Sequence, residues 1–371
     1  MDASLRFAPG FSPLNDTQKA MALQAMGEWG AVANIAFVES AAPMTANLQF
    51  HMSQLDAYGA AGMAYYPNPA GSFIYLDSES AGYRTYVHEI GHALGLKHPG
   101  DYNGSDGGTP PFLPRSEDNR INTVMSYYGA WPGELGVYDI AAIQNLYGPN
   151  PAVRSGDDLY RLLPEAPGRY LWDGGGNDTL SAAGADLPVT IDLNGGWGWF
   201  SAQAPSILDR NQFFIGPGTR IETAIGGSAG DRLTGSAFAD TLEGGAGDDT
   251  LLGGAGDDFL DGGTGSSFLI GGDGTDTFSI GERGQDVTWS TVADLQPEEW
   301  AIVWGWTDAV SHLTWEDLTG TAGHQGATAR VDLDGNGGTD LSLTFSGAPP
   351  GSLLAMPGQT GADGYLAFRI G

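Results

Sequence analysis

The sequence predicts an α/β or α+β domain followed by an all-β domain, and three observations carry that reading. Helix-like and strand-like stretches of mixed composition alternate over the first 150 residues, whereas from about residue 170 Gly, Asp, Thr and Leu dominate in a short period. A nine-residue repeat runs from Gly226 to Ser279. Between the two regimes lies Gly148-Pro149-Asn150-Pro151, whose prolines disfavour helix and strand alike, so the expected domains are 1–149 and 150–371.

In the first domain, Asn15, Asp16 and Thr17 offer N-caps to a helix whose apolar residues Ala22, Leu23, Met26 and Trp29 recur at helical spacing, ending near Gly30. Ile35 to Val38, Asn47 to His51 and Ser72 to Leu76 read as short strands. Two further helices are expected, from about Gly82 to Leu94 and from about Tyr138 to Tyr147. In the second domain the blocks GGSAGDRLT, GSAFADTLE, GGAGDDTLL, GGAGDDFLD, GGTGSSFLI and GGDGTDTFS follow one another. This is the GGxGxDxUx pattern, in which each unit turns through glycines and lays down a short strand with one inward apolar residue. Those residues are Leu233, Leu242, Leu251, Leu260, Leu269 and Phe278.

Composition restricts the chemistry. The 371 residues carry 45 Asp+Glu against 15 Lys+Arg, a formal charge of −30, which excludes nucleic acid as a partner. No cysteine is present, so neither disulfides nor thiolates hold or operate the protein and any staple must be a metal. A soluble chain is expected, because no apolar run reaches the roughly 18 to 20 residues of a membrane span. Met1-Asp2-Ala3-Ser4 lacks the basic-then-apolar order of a secretory signal peptide.

The carboxylate excess calls for a hard cation, and the repeats supply its ligands. Glycine turns expose backbone carbonyls and the Asp at the sixth position adds an anionic oxygen, the donor set calcium takes. The candidates are Asp231, Asp240, Asp249, Asp258 and Asp276, with Gly244, Gly245, Gly247, Gly253, Gly254, Gly256, Gly271, Gly272 and Gly274. Two units make one coil, so Asp231, Asp249 and Ser267 should stack on one edge and Asp240, Asp258 and Asp276 on the other. The turn holding Ser267 should bind calcium weakly or not at all. The first two units are degenerate, with Ala229 and then Ser236, Ala237 and Phe238 in place of turn residues.

Residues 88 to 98 read HEIGHALGLKH, or HExxHxxGxxH. His88 and His92 are i and i+4 on one helical face, and Gly95 allows a left-handed turn that brings back His98 as a third nitrogen. Three histidines leave zinc an open position, where it lowers the pKa of a bound water and polarises a carbonyl. Glu89 is placed to take the proton from that water and pass it to a leaving amine, so metal-assisted amide hydrolysis is implied. A structural zinc site would normally close its fourth position with Cys or His.

His88 to Pro99 resembles the metzincin zinc motif, and Thr123-Val124-Met125-Ser126-Tyr127 resembles the Met-turn beneath the metal in that clan. Pro99, Tyr127 and Asp139-Ile140-Ala141-Ala142-Ile143-Gln144 resemble the serralysin family of bacterial secreted metalloendopeptidases. The nonapeptide block, with Trp172-Asp173-Gly174-Gly175-Gly176-Asn177-Asp178-Thr179 ahead of it, is similar to that family's RTX calcium-binding β-roll. The resemblance runs from about Phe11 to Ser346. It implies a metzincin-like α+β catalytic domain followed by an all-β domain containing a parallel β-roll and β-sandwich. It also implies a secreted, extracellular zinc endopeptidase with one catalytic Zn2+ and several structural Ca2+. Tyr127 would be an additional zinc ligand that swings away to donate a hydrogen bond to the developing oxyanion. Implied partners are protein or peptide substrates, a proteinaceous inhibitor and type I secretion machinery, acting on a monomer.

The chain departs from the family in having 87 residues before His88, where a longer stretch with a propeptide is usual. Its ending, Tyr365 to Gly371, is apolar without the acidic-then-apolar order. Asp332-x-Asp334-x-Asn336-Gly337 reads either as one more calcium loop or as a polar hairpin turn. Met63 to Pro67 reads as a peptide-pairing edge strand or a core hairpin, and Asp101 to Pro111 as a cleft wall or a solvated loop. His51, His312 and His324 are read as packing or surface residues, and Trp197 and Trp199 as packing of the β-domain. The rival function is a calcium-binding adhesin with an inert peptidase domain, which the retention of His88, Glu89, His92, His98 and Tyr127 disfavours. A metzincin of another family is disfavoured by Pro99.

Overall fold

Asn15 opens helix α1 (Asp16–Val32) in the computed structural model, which describes residues 12–40, 46–69, 71–102, 110–281, 287–349 and 351–371. Its Oδ1 accepts from Gln18 N–H at 3.0 Å while Gln18 Oε1 accepts from Asn15 N–H at 2.9 Å, a reciprocal capping box. The chain divides into two units, Met1–Val153 and Arg154–Gly371. Met1 to Ser4, and residues 103–109 of the expected cleft-wall loop, lie outside the described residues.

The first unit is α+β. Strands β1 (Leu48–Ser53), β2 (Gly62–Ala64) and β3 (Ser72–Asp77) form a sheet in the order β1-β3-β2, with β1 parallel and β2 antiparallel to β3. All six residues of the central β3 are buried, and β2 is an edge. Helices α2 (Tyr83–Ala93) and α3 (Val137–Tyr147) follow. Trp29, fully buried, donates its indole N–H to Val87 O at 3.1 Å and so fixes α1 against α2.

Two expectations for this unit need correction. Helix α1 runs through Gly30 to Val32 instead of ending there. Ile35 to Val38 is not a strand. Ala33 pairs with Pro149, Asn34 N–H goes to Gly148 O at 3.0 Å, and Ile35 N–H folds back on Ala33 O at 2.7 Å. The alternating side chains therefore have no strand to pair with, and periodicity without a ladder partner does not make a strand.

Among the described residues the second unit is all-β, built on two sheets of nine and eleven strands. Successive repeats alternate between them. Strands Arg232–Thr234, Thr250–Ala255 and Phe268–Asp273 pair in parallel in one sheet, and Thr241–Glu243, Phe259–Asp261 and Thr277–Ile280 in the other. The register follows the coil: Leu233 faces Leu251 and Leu269, while Leu242 faces Leu260 and Phe278. All six side chains are completely buried between the sheets, as the repeat requires. After the roll, Trp300–Trp304 pairs antiparallel with Asp363–Ile370, and that strand with Leu353–Thr360. The other sheet closes through Leu341–Ser346, Gly326–Asp332 and His312–Thr319. One continuous core, from Leu180 and Ile191 to Phe345 and Phe368, joins the roll to these flanking strands. Glycine at the second position of the last unit is a steric requirement: Gly272 has φ +104, and a Cβ there would sit 2.1 Å from Gly254 O of the coil below.

Asp77, at the end of β3, ties three segments together. Its carboxylate accepts from Leu55 N–H at 2.8 Å, Glu79 N–H at 3.1 Å, Ser80 N–H at 2.8 Å and Ser80 Oγ–H at 2.7 Å. Burial opposes ionisation, but these donors outweigh it and hold the carboxyl at about 2, against an ordinary 3.8. A depressed acid stabilises the fold fully above its unfolded value and loses that contribution as pH falls through its folded value. The stability advantage of the wild type over Asp77→Asn is therefore expected to be constant near neutrality and to shrink between about pH 4 and about pH 2, measured by urea denaturation at each pH. In the second unit, Leu260→Ala is expected to cost about 2–5 kcal/mol on the same assay, because no exposed surface is available to collapse into the cavity.

Candidate metal centre

Helix α2 supplies two histidines and a glutamate to one buried place. His88, Glu89 and His92 all lie below one-tenth exposure, and so does His98 on the chain that follows. The helix ends in a Schellman turn: Gly95 takes φ +111, its N–H donates to His92 O at 2.9 Å, and Leu96 N–H donates to Gly91 O at 2.9 Å. That reversal returns His98 so that its Nε2 lies 3.1 Å from Nε2 of both His88 and His92.

The outward nitrogens fix which atoms face inward. His88 Nδ1 is 2.9 Å from Val124 O and His92 Nδ1 is 2.8 Å from Leu96 O. A carbonyl can only accept, so each Nδ1 carries the proton and each Nε2 presents a lone pair. Burial, then the neighbouring histidines, pushes His88 well below its ordinary value and His92 down to about 4. Near neutral pH the lone pairs of His88 and His92 therefore converge on His98 Nε2, an arrangement that suits a cation. The three-imidazole donor set is compatible with zinc.

Below the histidines runs the turn through Met125. Asp139, fully buried near the start of α3, accepts from Thr123 Oγ1 at 2.6 Å, Val124 N–H at 2.7 Å and Gly136 N–H at 2.8 Å. It thus caps α3 and positions the peptide whose carbonyl orients His88. Burial raises its carboxyl to about 6 although all three donors favour the charged form. Met125 packs under the helix at Gly91, where a Cβ would meet Sδ at 2.7 Å and Trp29 at 3.0 Å.

Glu89 shares a cavity of about 200 Å³ with Arg84, Thr85, His88, Tyr127 and the segment Gly59 to Gly62. Burial raises its carboxyl to about 8, against the opposing charge of Arg84. Strand β2 comes so close that a Cβ on Gly62 would lie 2.7 Å from Glu89 Cγ. Tyr127 is half-exposed, its ring 4.5 Å from His98 and 6.0 Å from His88. Sequence reasoning did not single out Arg84 or Tyr102. The Tyr102 ring lies 4.7 Å from Tyr127 and 5.3 Å from His98, and its hydroxyl donates to Asp118 at 2.8 Å. Nothing local in a Gly- and Asp-rich loop marks that tyrosine. The remaining histidines are packing or surface residues: His51 stacks on Tyr75 at 5.6 Å and His324 lies 4.7 Å from Phe268, while His312 is exposed.

The repeat carboxylates form a second set. Asp231 N–H donates to Asp249 Oδ1 at 2.7 Å, Asp240 N–H to Asp258 Oδ1 at 2.8 Å, and Asp258 N–H to Asp276 Oδ1 at 2.9 Å. Second oxygens of Asp249, Asp258 and Asp276, and Oδ1 of Asp240, are buried with no hydrogen-bond donor among the described residues. Burial raises Asp249 and Asp258 to about 7. Ser267 interrupts its edge: its N–H donates to Ser290 Oγ at 3.2 Å and its hydroxyl to Gly262 O at 3.1 Å. A further cluster joins Asp158, Asp173 and Asp178, with Asp178 Oδ2 also buried and undonated. Asp158 was not foreseen, because it lies in a strand-entry segment 15 residues before Asp173 with no motif around it. Asp332, Asp334 and Asp340 also come together, but Asp332 is engaged by Gly335 N–H at 2.7 Å and Gly337 N–H at 2.9 Å, as a hairpin turn would engage it.

Comparison with known proteins gives two results. Residues 225–260 and 252–287 match the RTX calcium-binding nonapeptide repeat family. Over about 60% of its length the chain is similar to serralysins and AprA metallopeptidases. It is 36% identical over 270 residues to a serralysin of Photorhabdus laumondii subsp. laumondii, covering 61% of this chain and 54% of the relative. It is 34% identical over 271 residues to metallopeptidase AprA of Pseudomonas marginalis (61% and 56%), and 35% identical over 271 residues to serralysin C of Dickeya chrysanthemi (60% and 54%). The chain thus spans about half the length of the curated relatives it matches.

Asp139→Ala is expected to destabilise the first unit by about 3 kcal/mol in urea denaturation, since it strands the buried amides of Val124 and Gly136. Gly91→Ala is expected to cost about 1–3 kcal/mol by displacing Met125, whereas Gly27→Ala, at an open position of α1, should be neutral or stabilising.

Proposed function

We propose that this chain is a secreted zinc-dependent endopeptidase, with its catalytic apparatus in residues 1–149 and a calcium-stabilised β-roll and β-sandwich in residues 150–371. The observation that carries this reading is the convergence of the His88 and His92 Nε2 atoms on His98 Nε2, each at 3.1 Å, with the buried carboxyl of Glu89 lining a cavity beside His88. The relatives named serralysin and metallopeptidase AprA support it.

His88, His92 and His98 would hold the zinc, with Tyr127 as a further ligand. Bound there, zinc supplies Lewis-acid polarisation of a substrate carbonyl and activation of a water molecule. Glu89 takes the proton from the attacking water and hands it to the departing amine nitrogen. The carboxylate must be ionised to do so, and Arg84, acting against burial, favours that form. Tyr127, whose ring lies beside those of His88 and His98, would donate a hydrogen bond to the oxygen that gains charge as the carbonyl is attacked. Edge strand β2 offers unpaired backbone groups to an extended peptide.

Calcium would occupy the turns formed by Asp231, Asp240, Asp249, Asp258 and Asp276 with their glycine carbonyls, and the cluster of Asp158, Asp173 and Asp178. Buried, undonated carboxylate oxygens are what such an ion would satisfy. Folding of the roll would then follow calcium, unfolded where the ion is scarce and ordered where it is millimolar, consistent with export by type I machinery. Among the described residues no helix is long and apolar enough to cross a membrane.

Wild type loaded with zinc and calcium is expected to hydrolyse casein, and Glu89→Gln to lose at least about a hundredfold while keeping its zinc by elemental analysis. Inactivity of both would replace this reading with that of a calcium-binding interaction protein. Adding calcium to chelated protein should change the circular dichroism spectrum, and no change would count against the roll. Titration calorimetry of Ser267→Asp should reveal one more, or one tighter, calcium than wild type.

A further inference from the structure

The cavity beside Glu89 contains a cation that the mechanism leaves without a binding partner. Arg84 stands one turn before His88 on the same face of α2, and lines the cavity together with Thr85, His88, Glu89 and Tyr127. It is partly buried, yet among the described residues it makes no hydrogen bond or ion pair. Glu89 acts on it electrostatically without reaching ion-pair distance. A second cation stands nearby: Arg120 is pinned by Ser126 O at 3.1 Å and Gly129 O at 2.9 Å. Burial and then Arg120 both push Arg84 below its ordinary value. With 15 basic residues against 45 acidic ones, an arginine lining the cavity within electrostatic reach of a second is a local exception to the charge of the chain.

A guanidinium presents a rigid fork of donors matched to a carboxylate, and a partly desolvated one gains most from such a partner. We infer that Arg84 is a specificity-determining residue that binds a carboxylate of the peptide lying in the cleft. The inference rests on the peptidase reading and adds to it the chemical class of the preferred substrate. The carboxylate has two possible sources, an Asp or Glu side chain near the scissile bond or the free C-terminus of a short peptide.

Fluorescence-quenched heptapeptides of neutral sequence separate these sources. Glu or Gln is walked through each position, and every peptide is made with a free and with an amidated C-terminus. At fixed ionic strength, wild type is expected to favour Glu over Gln in kcat/KM by about tenfold or more at one position, or the free over the amidated terminus by a similar factor. The ratio is expected to fall to about 1 in Arg84→Gln and below 1 in Arg84→Glu. Being a ratio, it is insensitive to a general loss of activity or of folded protein. Anisotropy of a fluorescein-labelled Glu peptide gives a readout without turnover: Glu89→Gln should bind it about tenfold more tightly than Glu89→Gln/Arg84→Gln does. Ratios near 1 for wild type at every position, or a preference that survives Arg84→Gln, overturn the inference while leaving the peptidase reading intact. Failure of wild type to cleave any peptide overturns both.

Discussion

Three imidazole nitrogens brought to one point, two of them with lone pairs fixed inward, suit a shared cation, and the first unit is organised around keeping them there. Two backbone carbonyls, Val124 O and Leu96 O, hold the outward nitrogens and so determine what the inward ones present. Each carbonyl depends on something further away. Leu96 is delivered by the left-handed Gly95, and Val124 by the carboxylate of Asp139 near the start of another helix. Gly91 lets Met125 rest against the floor of the helix without pushing it off axis. The three histidines are thus the visible part of a longer chain of contacts through the core.

The two donor sets suit different ions for different physical reasons. Neutral imidazoles in a dry pocket suit a borderline-soft ion of small coordination number. The roll offers carboxylates and carbonyls in quantity, suited to a larger and harder ion with many oxygens. The cost of burial falls differently on each: depressed histidines are already in their ligating form, whereas raised aspartates need a positive charge to remain ionised. The first set would be ready before an ion arrives, and the second would be completed by one.

What could be read from the sequence was whatever is periodic or local. The spacing of His88, His92 and His98 follows from one helix and one turn, and the nonapeptide gives strand, turn and inward residue in phase, down to the 18-residue register between coils. Helices α2 and α3 were legible for the same reason. The reading of Ile35 to Val38 failed because alternation describes a strand's faces and says nothing about a neighbour to pair with. Tyr102, Arg84 and Asp158 were missed for a different reason. Each acquires its role only when the fold brings it to residues that no local pattern connects it with.

The break at Ser267 makes the two edges of the coil unlike. Amide-to-carboxylate stitches run unbroken from Asp240 through Asp258 to Asp276 on one edge, but stop at Asp249 on the other. A coil fastened unevenly is a seam with a weak side. When tension or a chelator opens it, the stack will gape first along the serine edge and hinge about the intact one, giving the unravelling of this domain a direction.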